Sequence, residues 1–160
     1  MALSSRVVSS PFGPLTLFAV NGRIVSLDWG KGCDVPAEAD SPVLALAAEQ
    51  LAAYFEERLK VFSLPLEAAG TPFQKRVWDA LCAIPYGEVQ TYGELAAGLS
   101  SSARAVGGAC GANPIPILIP CHRAVGSGGH LTGYSGMGGI FTKRRLLRLE
   151  NPRLQLNGED

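Results

Sequence analysis

Three prolines in seven residues do most to limit what this chain can fold into. They lie in Asn113-Pro114-Ile115-Pro116-Ile117-Leu118-Ile119-Pro120-Cys121-His122-Arg123. Proline fixes its own φ and pushes the preceding residue towards extended conformations, so residues 114–120 are not a helix. The apolar filling predicts a rigid, mostly buried extended arm that delivers Cys121 to one fixed place. A reacting sulfur needs such rigid delivery. Adjacent positions on an extended chain point to opposite faces, so any exchange between Cys121 and His122 needs a turn there or a bridging water. The residues leave two readings open: a placed nucleophile, or a small buried hydrophobe with His122 as a cap.

The 160 residues suffice for one ordinary domain or two small ones. With 47% hydrophobic and 18% charged residues the chain should bury a real core, which argues against disorder. No apolar run reaches bilayer-spanning length, and Met1–Ser10 lacks a signal-peptide core. Cys33, Cys82, Cys110 and Cys121 form no C-x-x-C pair and no metal-ligand spacing with His122 or His130. No metal site is expected, and a reducing, cytoplasmic setting fits these thiols. Net charge is zero, but residues 1–70 carry five Lys/Arg against eight Asp/Glu and residues 71–160 nine against six. A nucleic-acid surface therefore belongs in the second half.

Residues 4–29 read as a small antiparallel sheet, with Leu15–Val20 and Arg23–Trp29 flanking an Asn21-Gly22 hairpin turn. Residues 31–40 form a polar loop. Ser41 and Pro42 open a helix that runs Leu44, Leu46, Ala47, Leu51, Tyr54 and Phe55 along one face and fades near Leu59. Phe62–Pro65 is short and extended, and Ala68-Ala69-Gly70 reads as a linker. Nothing before residue 70 carries chemistry; it is a folded support.

Thr71-Pro72-Phe73-Gln74 and Thr91-Tyr92-Gly93-Glu94 are capping boxes that open two helices. The first buries Phe73, Val77, Trp78, Leu81 and Ile84. The second runs to Leu99, and after Ser100-Ser101-Ser102 a further helix covers Ala103–Ala112. The last two make a helix-turn-helix candidate. The final helix of that pair is nearly bare, with Arg104 its one long side chain and three glycines that each cost roughly 1 kcal/mol relative to alanine. Two explanations stand: tight packing against another helix, or close approach to a narrow external surface such as a DNA minor groove. Beyond Arg123, residues 126–139 form an irregular glycine-rich loop whose polar features are Tyr134 and Ser135. A helix over Ile140–Glu150 is basic on one side (Lys143, Arg144, Arg145, Arg148) and apolar on the other. Glu150 sits at the wrong end of its dipole, which pairing with His122 would explain. The tail 151–160 reads as frayed.

Pro120-Cys121-His122-Arg123, with Asn113-Pro114 before it, resembles the active-site signature of the O6-alkylguanine–DNA alkyltransferases. The resemblance spans residues 71–150 and takes in the Tyr92 helix, Arg104-Ala105-Val106-Gly107-Gly108, Gly133-Tyr134-Ser135-Gly136 and the Lys…Leu-Leu…Glu ending at Glu150. Residues 1–70 resemble the family's variable N-terminal domain loosely. The fold so implied is two-part α/β: a small antiparallel sheet plus helix over 1–68, and a mostly helical domain with helix-turn-helix and active-site loop over 71–153.

The resemblance implies direct, irreversible transfer of an alkyl group from O6-alkylguanine in double-stranded DNA to the protein's own cysteine, once per molecule and without cofactor. O4-alkylthymine is a further candidate lesion, and the protein is expected to act as a monomer with no membrane partner. Carried over by position, Cys121 is the acceptor, His122 takes its proton through a water, Glu150 orients the imidazole, Asn113 holds the turn, and Tyr92 assists the departing base. Arg104 fills the space of the flipped nucleotide on a minor-groove helix that also presents Ala105 and Gly107. Ser127, Ser135 and the backbone around Ala124 line the base pocket. Departures are a segment from Gly136 to Lys143 about two residues longer than in some members, Gly111 in place of a basic residue, and no evident zinc ligands in the N-terminal part. Two rivals remain: a lesion-marking DNA-binding module, which gains nothing from a placed thiol, and a Cys-His hydrolase, which leaves the proline arm and the Arg104 helix unexplained.

Overall fold

The computed structural model describes residues 3–30, 41–131 and 139–156. The chain divides into two compact units between Ala69 and Gly70. Tyr134, Ser135 and residues 136–138 of the longer Gly136–Lys143 segment lie outside the described residues, as does the polar loop 31–40. No described helix is long and apolar enough to cross a membrane.

In the first unit strands β1 (Leu3–Val8), β2 (Leu15–Val20) and β3 (Arg23–Trp29) form an antiparallel sheet in that order. Asn21 and Gly22 both take positive φ, 53° and 74°, as the twisted two-residue turn requires. Helix α1 (Pro42–Phe55) buries Leu44, Ala47, Leu51 and Tyr54, and Leu15, Leu17 and Ile24 of the sheet are likewise fully buried. Leu46 points outward instead. The helix stops at Phe55 rather than near Leu59, because Glu57 turns left-handed at φ 62°. Ser41 precedes it without a side-chain cap. Leu66 adds a short parallel bridge beside Ile24, whose N–H donates to Pro65 O at 2.9 Å.

The second unit begins with α2 (Pro72–Cys82), whose capping box is closed by Gln74 N to Thr71 Oγ1 at 3.1 Å and Thr71 N to Gln74 Oε1 at 2.9 Å. Helix α3 (Tyr92–Leu99) repeats the device with Thr91 and Glu94. Ser100 in the left-handed region turns the chain into α4 (Ala103–Gly111), and the Ser102 hydroxyl caps it by accepting from Ala105 N at 3.1 Å. Trp78 Nε1 donates to Ala109 O at 2.9 Å, locking α2 to α4. The buried face of α4 is Val106, Ala109 and Cys110.

Two-residue strands β4 (Gln90–Thr91) and β5 (Ala124–Val125) pair in parallel, a contact too short for any sequence periodicity to announce. They tie the start of α3 to the chain leaving Arg123. Helix α5 (Ile140–Glu150) follows. The tail is not frayed over 151–156. Leu156 joins Val125, Leu131 and Leu147 in an apolar cluster, and Asn151 Nδ2 donates to Gly87 O at 3.0 Å.

The glycines of α4 are not there for packing. A Cβ added at Gly107, Gly108 or Gly111 would meet no described heavy atom within 4 Å. That face is bare and open, so Gly107→Ala should raise unfolding free energy by about 0.5–1 kcal/mol in urea titration, because helix propensity rises with no clash. A loss of stability would mean that the face is packed.

Candidate active site

The site grows out of the proline segment, which is folded rather than extended. Ile119 N donates to Ile115 O at 2.9 Å, and Ile117 between them sits at φ 74°. A β-branched residue in the left-handed region is strained by about 1–2 kcal/mol, and it persists where the surroundings over-determine it. Here Ile115, Ile117, Leu118 and Ile119 are all buried. Asn113 closes the loop from within: its Oδ1 accepts from Ile115 N and its Nδ2 donates to Ile119 O, both at 2.9 Å. The prolines forbid a helix as expected, but a compact turn satisfies the backbone where a straight arm would strand it.

That turn leads into a short 3₁₀ turn, Cys121–Arg123, opened by Cys121 N donating to Ile119 O at 2.8 Å. Cys121 and His122 are thus consecutive residues of a turn and not opposite faces of a strand. Cys121 is buried, and burial pushes its thiol up, opposed by a hydrogen bond from Asn113 and the charge of Lys143. At rest the sulfur is a thiol, and it needs a base to become a nucleophile.

His122 is wholly buried, and its Nε2 lies 2.8 Å from Glu150 Oε2. Its Nδ1 is buried with no hydrogen-bond partner among the described residues. Burial lowers the imidazole pKa below 6.5; the Glu150 contact opposes this, while the charges of Arg123 and Lys143 add to it. The ring is therefore neutral at pH 7, with the proton on Nε2 facing the carboxylate and a lone pair on Nδ1.

Glu150 is held by more than the histidine. Arg123 grips it in two places, Nε to Oε1 at 2.9 Å and Nη2 to Oε2 at 3.0 Å, while Arg123 Nη1 donates to Ile84 O at 2.7 Å. Burial alone would raise the Glu150 carboxyl; the hydrogen bonds from His122 and Arg123 and the charge of Arg123 outweigh that and hold it well below the usual carboxylate range. Arg123 stands in the motif, but the sequence alone assigns it no role. Its job is legible only once α5 brings Glu150 beside it.

Lys143 is the second residue the sequence concealed. Its place among Arg144, Arg145 and Arg148 suggested a solvated basic face, yet it is completely buried. Its Nζ donates to Tyr92 Oη at 3.1 Å and lies 5.4 Å from the ring centroid. Burial brings its pKa down to about 8 against the opposing pull of Cys121 and Cys110. An apolar-face position on α5, read by helical spacing from Leu146, Leu147 and Glu150, was the available signal. Tyr92 is placed by the β4–β5 pair and the first turn of α3.

Arg104 and Ala105 are exposed on α4 and Gly107 is half-buried beside them. Ala124 is fully buried in β5, and Ser127 is exposed in the turn after it. Cys121, His122, Glu150, Asn113, Lys143 and Tyr92 are thus linked by contacts within one unit, with Arg104, Ala105 and Gly107 on the open face of α4. Ser135 lies outside the described residues.

Comparison with known proteins agrees with this arrangement. Residues 72–152 match the family described as 6-O-methylguanine DNA methyltransferase, DNA binding domain, and residues 4–68 match its ribonuclease-like domain. The methylated-DNA–protein-cysteine methyltransferase of Mycobacterium bovis is 46% identical over 154 residues, covering 92% of each chain. That of Methanosarcina barkeri is 44% identical over 93% of this chain and 98% of its own. Among solved structures, Mycobacterium tuberculosis OGT in complex with DNA superposes with a TM-score of 0.83 at 45% identity, covering 94% of each chain. Both halves of the chain, the supporting sheet as well as the cysteine-bearing unit, therefore belong to the 6-O-methylguanine DNA methyltransferase family.

Proposed function

We propose that this protein repairs alkylated DNA by moving the alkyl group of O6-alkylguanine onto its own Cys121. The observation that carries the reading is the fully buried His122: Glu150 engages its Nε2, which leaves Nδ1, without a partner among the described residues, as a base on the residue that follows the thiol. The Cys121 proton passes through a water to Nδ1 as the sulfur attacks the alkyl carbon in line. An S–C bond forms while the C–O6 bond breaks, and its electron pair returns to the guanine ring. Glu150, anchored by Arg123, balances the imidazolium that results. The thioether is stable, so each molecule reacts once and needs no cofactor.

Tyr92 supplies a proton or hydrogen bond to the ring nitrogen of the leaving guanine. Lys143 positions it: an ammonium that donates to Tyr92 Oη turns the hydroxyl proton away from itself and towards the base. Asn113 fixes the turn that carries the sulfur. For DNA, the open glycine face of α4 with exposed Arg104 suits a minor groove. Arg104 takes the place of the flipped nucleotide, flanked by Ala105 and Gly107, and Ser127, Ser135 and the backbone at Ala124 receive the base. One chain carries every group named, so the protein acts as a monomer, in the cytoplasm and on the nucleoid. O4-alkylthymine would enter by the same route.

Intact mass after incubation with a duplex bearing one O6-methylguanine tests the reading. One gain of ~14 Da per chain, CH₃ for H, should appear in the parent and be absent in Cys121→Ala. Selective binding of the modified duplex with no mass gain would leave a lesion-binding module instead. Lys143→Met should slow transfer at least tenfold, ~1.4 kcal/mol of barrier. The same change should stabilise the fold by on the order of 1–3 kcal/mol in urea, because it removes a buried ammonium. The sign follows from a folded pKa of about 8 against the ordinary 10.5: the lysine's charge weakens the folded state at pH 7, and stability recovers as pH rises through 8. A destabilised Lys143→Met with unchanged transfer would contradict both halves.

A further inference from the structure

Glu150 is the last residue of α5, where backbone carbonyls run out of intrahelical partners and the dipole disfavours a carboxylate. Such an end frays unless something outside the helix holds it. Here the loop after α2 does so. Tyr86 Oη donates to Leu149 O at 3.4 Å, Gly87 N–H donates to Glu150 Oε1 at 3.4 Å, and Asn151 Nδ2 donates to Gly87 O at 3.0 Å. Three consecutive residues, Leu149, Glu150 and Asn151, are thus each bound by the Tyr86-Gly87 pair. The approach is close: Gly87 sits at φ 84°, and a Cβ on it would lie 3.5 Å from Glu150 O and 3.7 Å from Asn151 Cβ. The same loop sets the Tyr86 ring 5.9 Å from the guanidinium carbon of Arg123, which in turn grips both Glu150 oxygens.

The Asn151 bond is the shortest of the three, and every hydrogen-bonding group of this residue is engaged. Its N–H donates to Leu147 O at 2.8 Å, its O accepts from Leu154 N at 3.1 Å, and its Oδ1 accepts from Arg153 N at 3.1 Å. The side chain therefore has two parts that chemistry can separate. The carboxamide oxygen starts the turn into the tail, and the carboxamide nitrogen holds the loop that touches Glu150. We infer that Asn151 is a positioning residue of the transfer reaction, whose side chain clasps Tyr86-Gly87 to the end of α5 and so holds the Glu150 carboxylate on His122; this role rests on His122 being the base. A carboxylate a few tenths of an ångström out of place would orient the imidazole less well and balance its charge less well as the thiol proton arrives.

Asn151→Ser in the full-length protein tests the clasp. A serine hydroxyl accepts from a backbone N–H two residues on, as the Asn151 oxygen does, but it is too short to bring a donor to Gly87 O. Single-turnover transfer from a duplex bearing O6-methylguanine gives two readouts, a rate constant and the fraction of chains that react. In Asn151→Ser the saturating rate constant should fall about three- to tenfold, the worth of one hydrogen bond, with affinity for an unmodified duplex unchanged. Leu156→Ala is the control, because it loosens the apolar cluster of the tail and leaves the clasp alone. It should lower the melting temperature and the reacting fraction while the rate constant stays that of the parent. A merely structural Asn151 would behave like this control, since unfolded chains reduce the fraction and not the rate of the folded ones. Asn151 has no positioning role if Asn151→Ser transfers at the parent's rate constant, or if Leu156→Ala slows transfer as much. A parent that transfers nothing would sink the assignment of Cys121 as acceptor, an outcome distinct from a parent and an Asn151→Ser variant that transfer alike.

Discussion

Glu150 is one carboxylate doing two jobs, and the active unit depends on how it divides itself. Its Oε2 faces His122 Nε2 while both oxygens sit in the fork of Arg123. A buried carboxylate facing a neutral imidazole alone would be costly to keep ionised. The guanidinium removes that cost, so Glu150 stays charged without requiring His122 to be charged. The histidine stays neutral at neutral pH, with the carboxylate in place to balance the proton it is proposed to take. Gly87 N–H also points at Oε1 at 3.4 Å, and Tyr86 lies under the Arg123 guanidinium, 5.9 Å from CZ to ring centroid. The loop after α2, the Cys121 turn and the end of α5 are thus fastened to one another through this carboxylate.

The nucleophile is placed by the opposite means, steric compulsion rather than charge. Ile117 is forced into the left-handed region, Asn113 braces the loop from inside, and the buried isoleucines leave the segment no room to relax. Beside it, α4 gives up helix propensity at Gly107, Gly108 and Gly111 with no packing return. Local rules broken without an internal gain are where function is expected to reside. The bare face of α4, with Arg104 exposed on it, is where the proposed DNA contact falls.

Much of this was legible in the sequence because it is local. The Asn21-Gly22 turn, both capping boxes and the Ser100–Ser102 turn follow from residues a few positions apart. The pairing of His122 with Glu150 has one local sign, a carboxylate at the wrong end of the α5 dipole, and the family pattern joins Cys121 to that pair across the twenty-seven intervening residues. What stayed hidden depends on tertiary contact. Arg123 looked like the end of a motif until α5 set Glu150 against it. Lys143 reads in sequence as one of four surface cations, whereas in the fold its Nζ donates to Tyr92 Oη. The tail reads as frayed because only Leu154 and Leu156 interrupt a polar stretch, and the cluster that Leu156 completes with Val125, Leu131 and Leu147 comes from three other places in the chain. The proline segment misled in detail: proline excludes helix, but it does not choose between an extended arm and a tight turn.

A His122 kept neutral by burial and by Arg123 sharing Glu150 is the proposed base that activates Cys121. The single-turnover transfer rate measured as a function of pH tests it most directly. Burial lowers the imidazole below its ordinary 6.5, so the base form persists as pH falls. With His122 as the base, the rate should stay level from neutrality down through pH 6.5 and decline only below it. A rate already halved at or above pH 6.5, or one that climbs steadily with pH as a free thiol ionises, would contradict it.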